Sequence, residues 1–229
     1  NAVRAALTAR LEELADSSGN GNFRPAVLVG VSGGADSLAL AATTQWVASR
    51  MGLDTIAGIV DHSLQEGSAS VAERAKAQCE RLELASAHVL KVTVEAAAGG
   101  TENAARRARY DALEGLAERE GCLAIALGHT LDDQAEQVLL GLARGAGARS
   151  LAGIRRRRGS IIRPFLGTGR DETTGVWRCD TKAICEILDI DVWDDPMNAD
   201  TDYLRVAART EAIPALEPVS YTHLTLPTK

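Results

Sequence analysis

The chain has 229 residues, 45% of them hydrophobic and 24% charged, with a formal net charge of −6. That balance belongs to a globular protein, excludes a disordered chain, and argues against a generally basic nucleic-acid surface. Aromatics are only 3%, so a core has to come from Ala, Val, Leu and Ile. Charges interrupt every apolar run well short of the ~20 residues a membrane helix needs. Arg4, Arg10, Glu12 and Glu13 punctuate the first turns, where a secretory leader would be apolar. Cys79, Cys122, Cys179 and Cys185 form no Cys-x-x-Cys pair, and the histidines are too few to complete a zinc set. Reduced thiols in a cytoplasmic protein are the expectation.

Strand-like apolar runs fall at 26–31, 55–60, 87–94 and 123–128, with a fifth at 161–165. Helical stripes lie between them. Val71, Ala75, Cys79 and Leu82 form one, and Leu131, Ala135, Val138, Leu139 and Leu142 another. Thr101 is placed to cap a helix over 103–119. Short strands alternating with helices predict an α/β fold with a doubly wound parallel sheet. Its strand C-termini share one edge, where ligands usually bind. The turn at 32–37, His62 and His129 each follow a predicted strand and so converge on that edge.

From about residue 145 the pattern loosens. Gly141, Gly145, Gly147 and Gly153 precede the unbroken run Arg155, Arg156, Arg157 and Arg158, which predicts a loop with a basic face. A helix is expected over 181–188, and Asp194-Asp195-Pro196-Met197-Asn198 reads as a turn. Another helix is expected over 203–211, before Pro214. Residues 218–229 carry neither period nor charge pattern, so 1–217 is taken as one domain and 218–229 as a tail of doubtful origin.

The most informative segment is Ser32-Gly33-Gly34-Ala35-Asp36-Ser37, between the first strand and its helix. Paired glycines permit unusual backbone conformations and let phosphate oxygens approach the main chain. The following helix offers unpaired N–H groups and its positive dipole end. Ser32 and Ser37 can add hydroxyl donors, and Asp36 can reach a magnesium ion on the same phosphates. The loop is neither Gly-x-x-x-x-Gly-Lys-Ser/Thr nor Gly-x-Gly-x-x-Gly, so it is neither a Walker A loop nor a dinucleotide fingerprint. The bland alternative is an ordinary strand-to-helix turn.

This segment resembles the PP-loop of the ATP-pyrophosphatase superfamily, whose fold is adenine-nucleotide α-hydrolase-like and whose members split ATP between the α and β phosphates. Further segments narrow the resemblance: Val60-Asp61-His62-Ser63-Leu64; Asn103-Ala104-Ala105-Arg106-Arg107-Ala108-Arg109-Tyr110; Gly128-His129-Thr130-Leu131-Asp132-Asp133-Gln134-Ala135-Glu136; Leu142-Ala143-Arg144-Gly145-Ala146-Gly147; Arg163-Pro164; and Asp195-Pro196-Met197-Asn198. In this order they resemble the tRNA(Ile)-lysidine synthetases over about 24–217.

The resemblance implies a ligase. ATP adenylates the wobble cytidine of a CAU-anticodon tRNA(Ile), and free L-lysine then displaces AMP to leave lysidine. It implies that Ser32, Gly33, Gly34, Ala35, Asp36 and Ser37 bind ATP, and that Asp36 and Asp132 hold Mg²⁺. It also implies catalytic roles for Asp36, Asp132, Arg106, Arg109 and His129, and suggests a homodimer. On a helix, His129, Asp132 and Glu136 would share a face, and Arg106 and Arg109 another. Arg205 and Arg209 match two family arginines, but Val206 stands where the family has Asn. The family continues into further domains that grip tRNA, so this chain is expected to bind ATP yet form lysidine weakly. A thiocytidine-forming relative would need clustered cysteines, and a non-catalytic nucleotide-binding module would not need both carboxylates and both arginines.

Overall fold

β1 (Ala26–Val31, sequence AVLVGV) dictates cover on both sides of the sheet. Val27, Val29 and Val31 point to one face, Ala26 and Leu28 to the other, and all five are at most 4% exposed. At about 25 cal/mol per Å², each large side chain buried this way contributes roughly 2 kcal/mol. β2 (Asp54–Asp61) and β4 (Cys122–Leu127) flank β1 in parallel, and β3 (Ser86–Lys91) pairs parallel beyond β2. Beyond β4 lie β5 (Arg157–Arg158) and β6 (Ile161–Ile162), the latter parallel to β4 and antiparallel to β5. The order is β3-β2-β1-β4-β6-β5. The computed structural model describes residues 2–15, 25–62, 67–92, 101–145, 147, 151–167, 175–194 and 204–216.

One face packs against α1 (Ala2–Ala15), α2 (Ala35–Arg50), α3 (Ser68–Arg81) and α6 (Arg178–Ile187), through Val3, Leu7, Leu38, Leu40, Ala75, Cys79 and Cys185. The opposite face packs against α4 (Thr101–Arg119) through Leu113, Leu116 and Ala117. The chain therefore winds outward from β1 to β3 through α2 and α3, then returns through α4 to β4 on the other side of β1. The connections leaving β1 and β4 diverge, and a crevice opens between them. Such switch points are where open α/β sheets bind ligands.

The doubly wound α/β architecture agrees with the sequence, while several boundaries differ for local reasons. The run at 161–165 is strand only over Ile161–Ile162, because Pro164 cannot donate to a ladder and Pro164–Leu166 turns into a 3-10 helix. The basic run at 155–158, expected as loop, gives its last two residues to β5. The helix expected over 181–188 starts at Arg178, and α4 starts at Thr101 rather than after it. The helix expected over 203–211 is α7 (Leu204–Ala207), which runs into a π-helical turn at Ala208–Ala212.

The apolar stripe of α5 (Leu131–Ala143) does not become core. Its buried residues are Glu136 and Gly141, and Leu142 is 56% exposed, because α5 lies against α7 and the 3-10 turn instead of the sheet. Residues 93–94, Ser63-Leu64, the side chains of 101–103, the turn at 195–198, Tyr203 and the tail at 218–229 lie outside the described residues.

Gly128 joins β4 to the segment before α5 where that segment crosses the start of α2. A Cβ there would stand 2.8 Å from the Asp36 carbonyl oxygen and 3.1 Å from its carbon, both main-chain atoms that cannot swing aside. Gly147 faces open space. Gly128→Ala is expected to lower stability by about 1–3 kcal/mol, read from urea denaturation, with Gly147→Ala within about 0.5 kcal/mol of the parent.

Candidate active site

The loop at 32–37 is braced by its own serines. The Ser32 N–H donates to Ser37 Oγ at 3.1 Å, and the Ser37 hydroxyl donates to the Gly34 carbonyl at 2.9 Å. Gly33 takes φ of +90°, a conformation that favours glycine, whereas Gly34 is extended at φ −79° and caps α2 with no side chain. The first α2 bond runs from Leu38 N–H to the Gly34 carbonyl at 3.1 Å. The N–H groups of Ala35, Asp36 and Ser37 precede it and have no intrahelical acceptor, so they face an incoming anion together with the helix dipole. From outside, the Trp193 N–H holds the Gly33 carbonyl at 3.0 Å.

The crevice between β1 and β4 deepens into a cavity of about 240 Å³ beside this loop, lined by Ser32, Asp36, Ser37, Arg106, Arg109 and His129 among others. Gly30 and Gly58, in register on β1 and β2, lie in its floor. A Cβ on Gly30 would stand 2.7 Å from Leu127, and one on Gly58 2.7 Å from Leu113, so both positions are kept bare by close packing.

One wall is cationic. Arg109 donates from Nε to Nε2 of His62 at 3.3 Å. Arg106 and Arg158 lie 5.6 and 5.3 Å from the centre of the Tyr110 ring. Arg163, buried at 5% exposure, donates to His129 Nδ1 at 3.2 Å, to the Arg155 carbonyl at 2.7 Å and to Tyr110 Oη at 3.1 Å. Burial first, then Arg163, Arg106, Arg205 and Arg109, push the His129 imidazole down to about 3, so it is neutral at physiological pH. Burial works to raise the Tyr110 phenol, but Arg163, Arg106 and Arg158 outweigh it and bring it below its ordinary value.

Behind Asp36, which lines the cavity, lies an acidic cluster centred on Arg178. Its guanidinium donates to Asp36 Oδ2 at 3.3 Å, to Glu136 Oε1 at 3.3 Å and to Asp133 Oδ1 at 2.9 Å. Its backbone N–H donates to Asp132 Oδ2 at 2.7 Å. Asp133 also accepts the Thr130 N–H at 2.8 Å at the start of α5, and Glu136 takes a second bond from Arg209 at 2.7 Å. The Thr181 hydroxyl donates to the remaining oxygen of Asp36. Burial, the largest influence, raises the Asp36 carboxyl above its ordinary range, opposed by Thr181 and Arg178 and reinforced by Asp133. Glu136 is fully buried, and its Oε2 has no partner among the described residues.

Asp36, Arg106, Arg109 and His129 therefore come together with the glycine loop around one cavity, and Asp132 sits one layer behind, on Arg178. The expected helical face of His129, Asp132 and Glu136 is not formed: α5 begins at Leu131, so His129 lies before the helix and turns to Arg163 while the two acids turn to Arg178. Arg205 bonds Gln137 at 3.0 Å, and Val206 is buried. Arg178, Thr181 and the inward role of Arg163 escape a sequence reading. Arg178 left one signal: a cation at the first position of a helix opposes the dipole and implies an acidic partner elsewhere.

As to a divalent cation, no group of three or more His, Cys, Asp or Glu side chains surrounds a common point among the described residues. Magnesium commonly uses one or two carboxylates and completes its shell with phosphate oxygens and water, so Asp36 and Asp132 fit that chemistry. No described helix is long and apolar enough to cross a membrane.

A family model described as PP-loop domain matches residues 4–216. The chain belongs to the PP-loop domain family. It is 49% identical over 191 residues to the tRNA(Ile)-lysidine synthase of Leifsonia xyli subsp. xyli, covering 83% of this chain and 55% of that protein. The synthase of Salinispora tropica is 46% identical over 219 residues, covering 94% and 61%. That of Mycobacterium bovis is 51% identical over 191 residues, covering 83% and 54%. The chain spans roughly half to three-fifths of these relatives' length. Among solved structures, the U34-tRNA thiolase NcsA from Methanococcus maripaludis superimposes with a TM-score of 0.65 at 17% identity, over 96% of this chain and 75% of that one. That likeness is one of fold. In the present PP-loop domain all four cysteines are free thiols.

Two expectations follow for the PP-loop site. Because folding disfavours protonated His129, the unfolded chain binds a proton as pH falls below 6.5 and the folded chain does not, so stability falls from there toward about 3. His129→Gln should remove about 1 kcal/mol of the loss between about pH 7 and about pH 5.5 in urea denaturation; an unchanged pH slope would contradict the burial argument. Arg178→Met should cost about 3 kcal/mol at neutral pH by stranding carboxylates. Urea denaturation at neutral pH reads that cost.

Proposed function

We propose that residues 1–217 form the catalytic domain of a tRNA(Ile)-lysidine synthetase. The observation that carries this reading is the pairing of the α2 N-terminus with an arginine wall across one cavity, in a chain 44–51% identical to tRNA(Ile)-lysidine synthases. ATP enters with its phosphates against the N–H groups of residues 35–37 and its base over the bare glycine floor. The C2 carbonyl oxygen of the wobble cytidine of a CAU-anticodon tRNA attacks the α-phosphorus, and the bond to the β-phosphate breaks to release pyrophosphate. The neutral amine of L-lysine then attacks C2, AMP leaves, and the amine proton passes to solvent or phosphate.

Arg106 and Arg109 face the negative charge that grows on the phosphoryl oxygens, where oriented cations in a partly dry site act most strongly. Asp36 and Asp132 would hold magnesium, which neutralises phosphate charge when bound. The acidic cluster of Asp133 and Glu136 lies behind the cavity lining, where Arg178 and Arg209 neutralise it and hold Asp36 in place.

The test is single-turnover modification of a CAU-anticodon tRNA(Ile) transcript with labelled lysine, alongside pyrophosphate release with ATP and Mg²⁺. Asp36→Ala and Asp132→Ala are each expected to lower labelling by about 100-fold or more. Equal labelling by all three proteins would remove both carboxylates from the mechanism, and no pyrophosphate release with lysine and tRNA present would sink the enzymatic reading.

A further inference from the structure

An arginine cannot accept a hydrogen bond, and its guanidinium stays protonated at every pH a protein survives. The 3.2 Å contact from Arg163 Nε to His129 Nδ1 therefore has one interpretation: Nδ1 carries a lone pair, and the ring proton is on Nε2. Nε2 has no partner among the described residues, and His129 lines the cavity beside the PP-loop. Arg163 is itself fixed by the Arg155 carbonyl and Tyr110 Oη, so its Nε has little freedom to turn away.

We propose that Arg163 is a positioning residue that locks His129 as a neutral Nε2–H donor, aimed at a phosphoryl oxygen of the bound nucleotide. Three observations converge on an anionic oxygen as the acceptor. Arg106, Arg109, Arg158 and Arg163 crowd this wall, and among the described residues none of them has a carboxylate partner. Among the described residues, Arg163 is a buried cation bonded to neutral acceptors alone, an arrangement that leaves its charge for an anion to compensate. The PP-loop N–H groups face the same cavity, so an oxygen held there meets donors from two sides.

The assignment also excludes a role. His129 is no general base: its single lone pair points at Arg163, away from the cavity, and its surroundings disfavour a second proton. It donates a hydrogen bond throughout the reaction and exchanges no proton. Naming the acceptor as a phosphoryl oxygen rests on the ATP-dependent reading above; the tautomer does not.

The deciding experiment is long-range ¹H–¹⁵N correlation NMR of the histidine-labelled chain, with His129 assigned by the signal missing from His129→Gln. The wild-type protein should show His129 as one Nε2–H tautomer around neutral pH, and Arg163→Met should convert it to an exchanging mixture. A wild-type Nδ1–H tautomer overturns the proposal, as does an unchanged single tautomer in Arg163→Met.

Activity supplies a second measurement that holds even if Arg163→Met does not fold. Gln places an amide N–H near the Nε2 position and Asn places one near Nδ1. His129→Gln should therefore keep the ATP-cleavage rate within about 5-fold, and His129→Asn should lose about 100-fold; equal rates overturn the donor role. A folded Arg163→Met should lower kcat about 10-fold with KM for ATP nearly unchanged, and a change in KM alone overturns positioning. If the tautomer is as stated but no pyrophosphate is released by any protein, the lysidine reading fails and the lock stands.

Discussion

Arg178 stands at the first position of α6, the place on a helix where the dipole least welcomes a cation. It is held there by carboxylates from two other elements: Asp36 on α2, and Asp132, Asp133 and Glu136 on α5. Four negative groups within a few ångströms would repel one another strongly in a partly dry setting, and none of the helices carrying them could approach as closely without a shared counter-charge. The spacing between the start of α2 and α5 is therefore set by one guanidinium. Arg209 adds a second cation on Glu136 from the far side, so the buried acid is compensated from two directions.

Around the cavity, charge is separated by sign. Arg106, Arg109, Arg158 and Arg163 gather on the side of α4 and β6, while the carboxylates gather on the side of α5 and α6. A polyphosphate entering such a field has one favourable orientation, with its charge toward the α2 N-terminus and the arginines. Orientation of the substrates thus precedes any specific hydrogen bond, and neutral His129 sits within the cationic group without adding to its repulsion.

The fold was largely legible because its signals are local. β1 alternates over both faces, Gly33 and Gly34 interrupt it where the chain turns into α2, and the strand spacing is that of parallel crossovers. Asp36 and His129 were legible because each follows a strand end, and Arg106 and Arg109 because they lie three apart on one helix. What stayed hidden depends on distance along the chain. Nothing near Arg178 announces Asp36, which precedes it by 142 residues. Arg163 reads in the sequence as a neighbour of Pro164, and only the tertiary fold turns it inward to His129. The stripe on α5 misled because periodicity reports an apolar face and not what covers it; here the sheet does not. The helix was started two residues too early, at His129 instead of Leu131, since a Gly-His-Thr segment can open a helix or precede one.

The carboxylate cluster has a consequence for synthesis. A chain leaving the ribosome presents Asp36 and the PP-loop early, the three α5 acids about a hundred residues later, and their first counter-charge only with Arg178. During that interval the sheet from β1 to β4 can form, but the acids stay mutually repelled and keep α5 from settling. The carboxylates then gain their shared counter-charge late and all at once, when α6 docks.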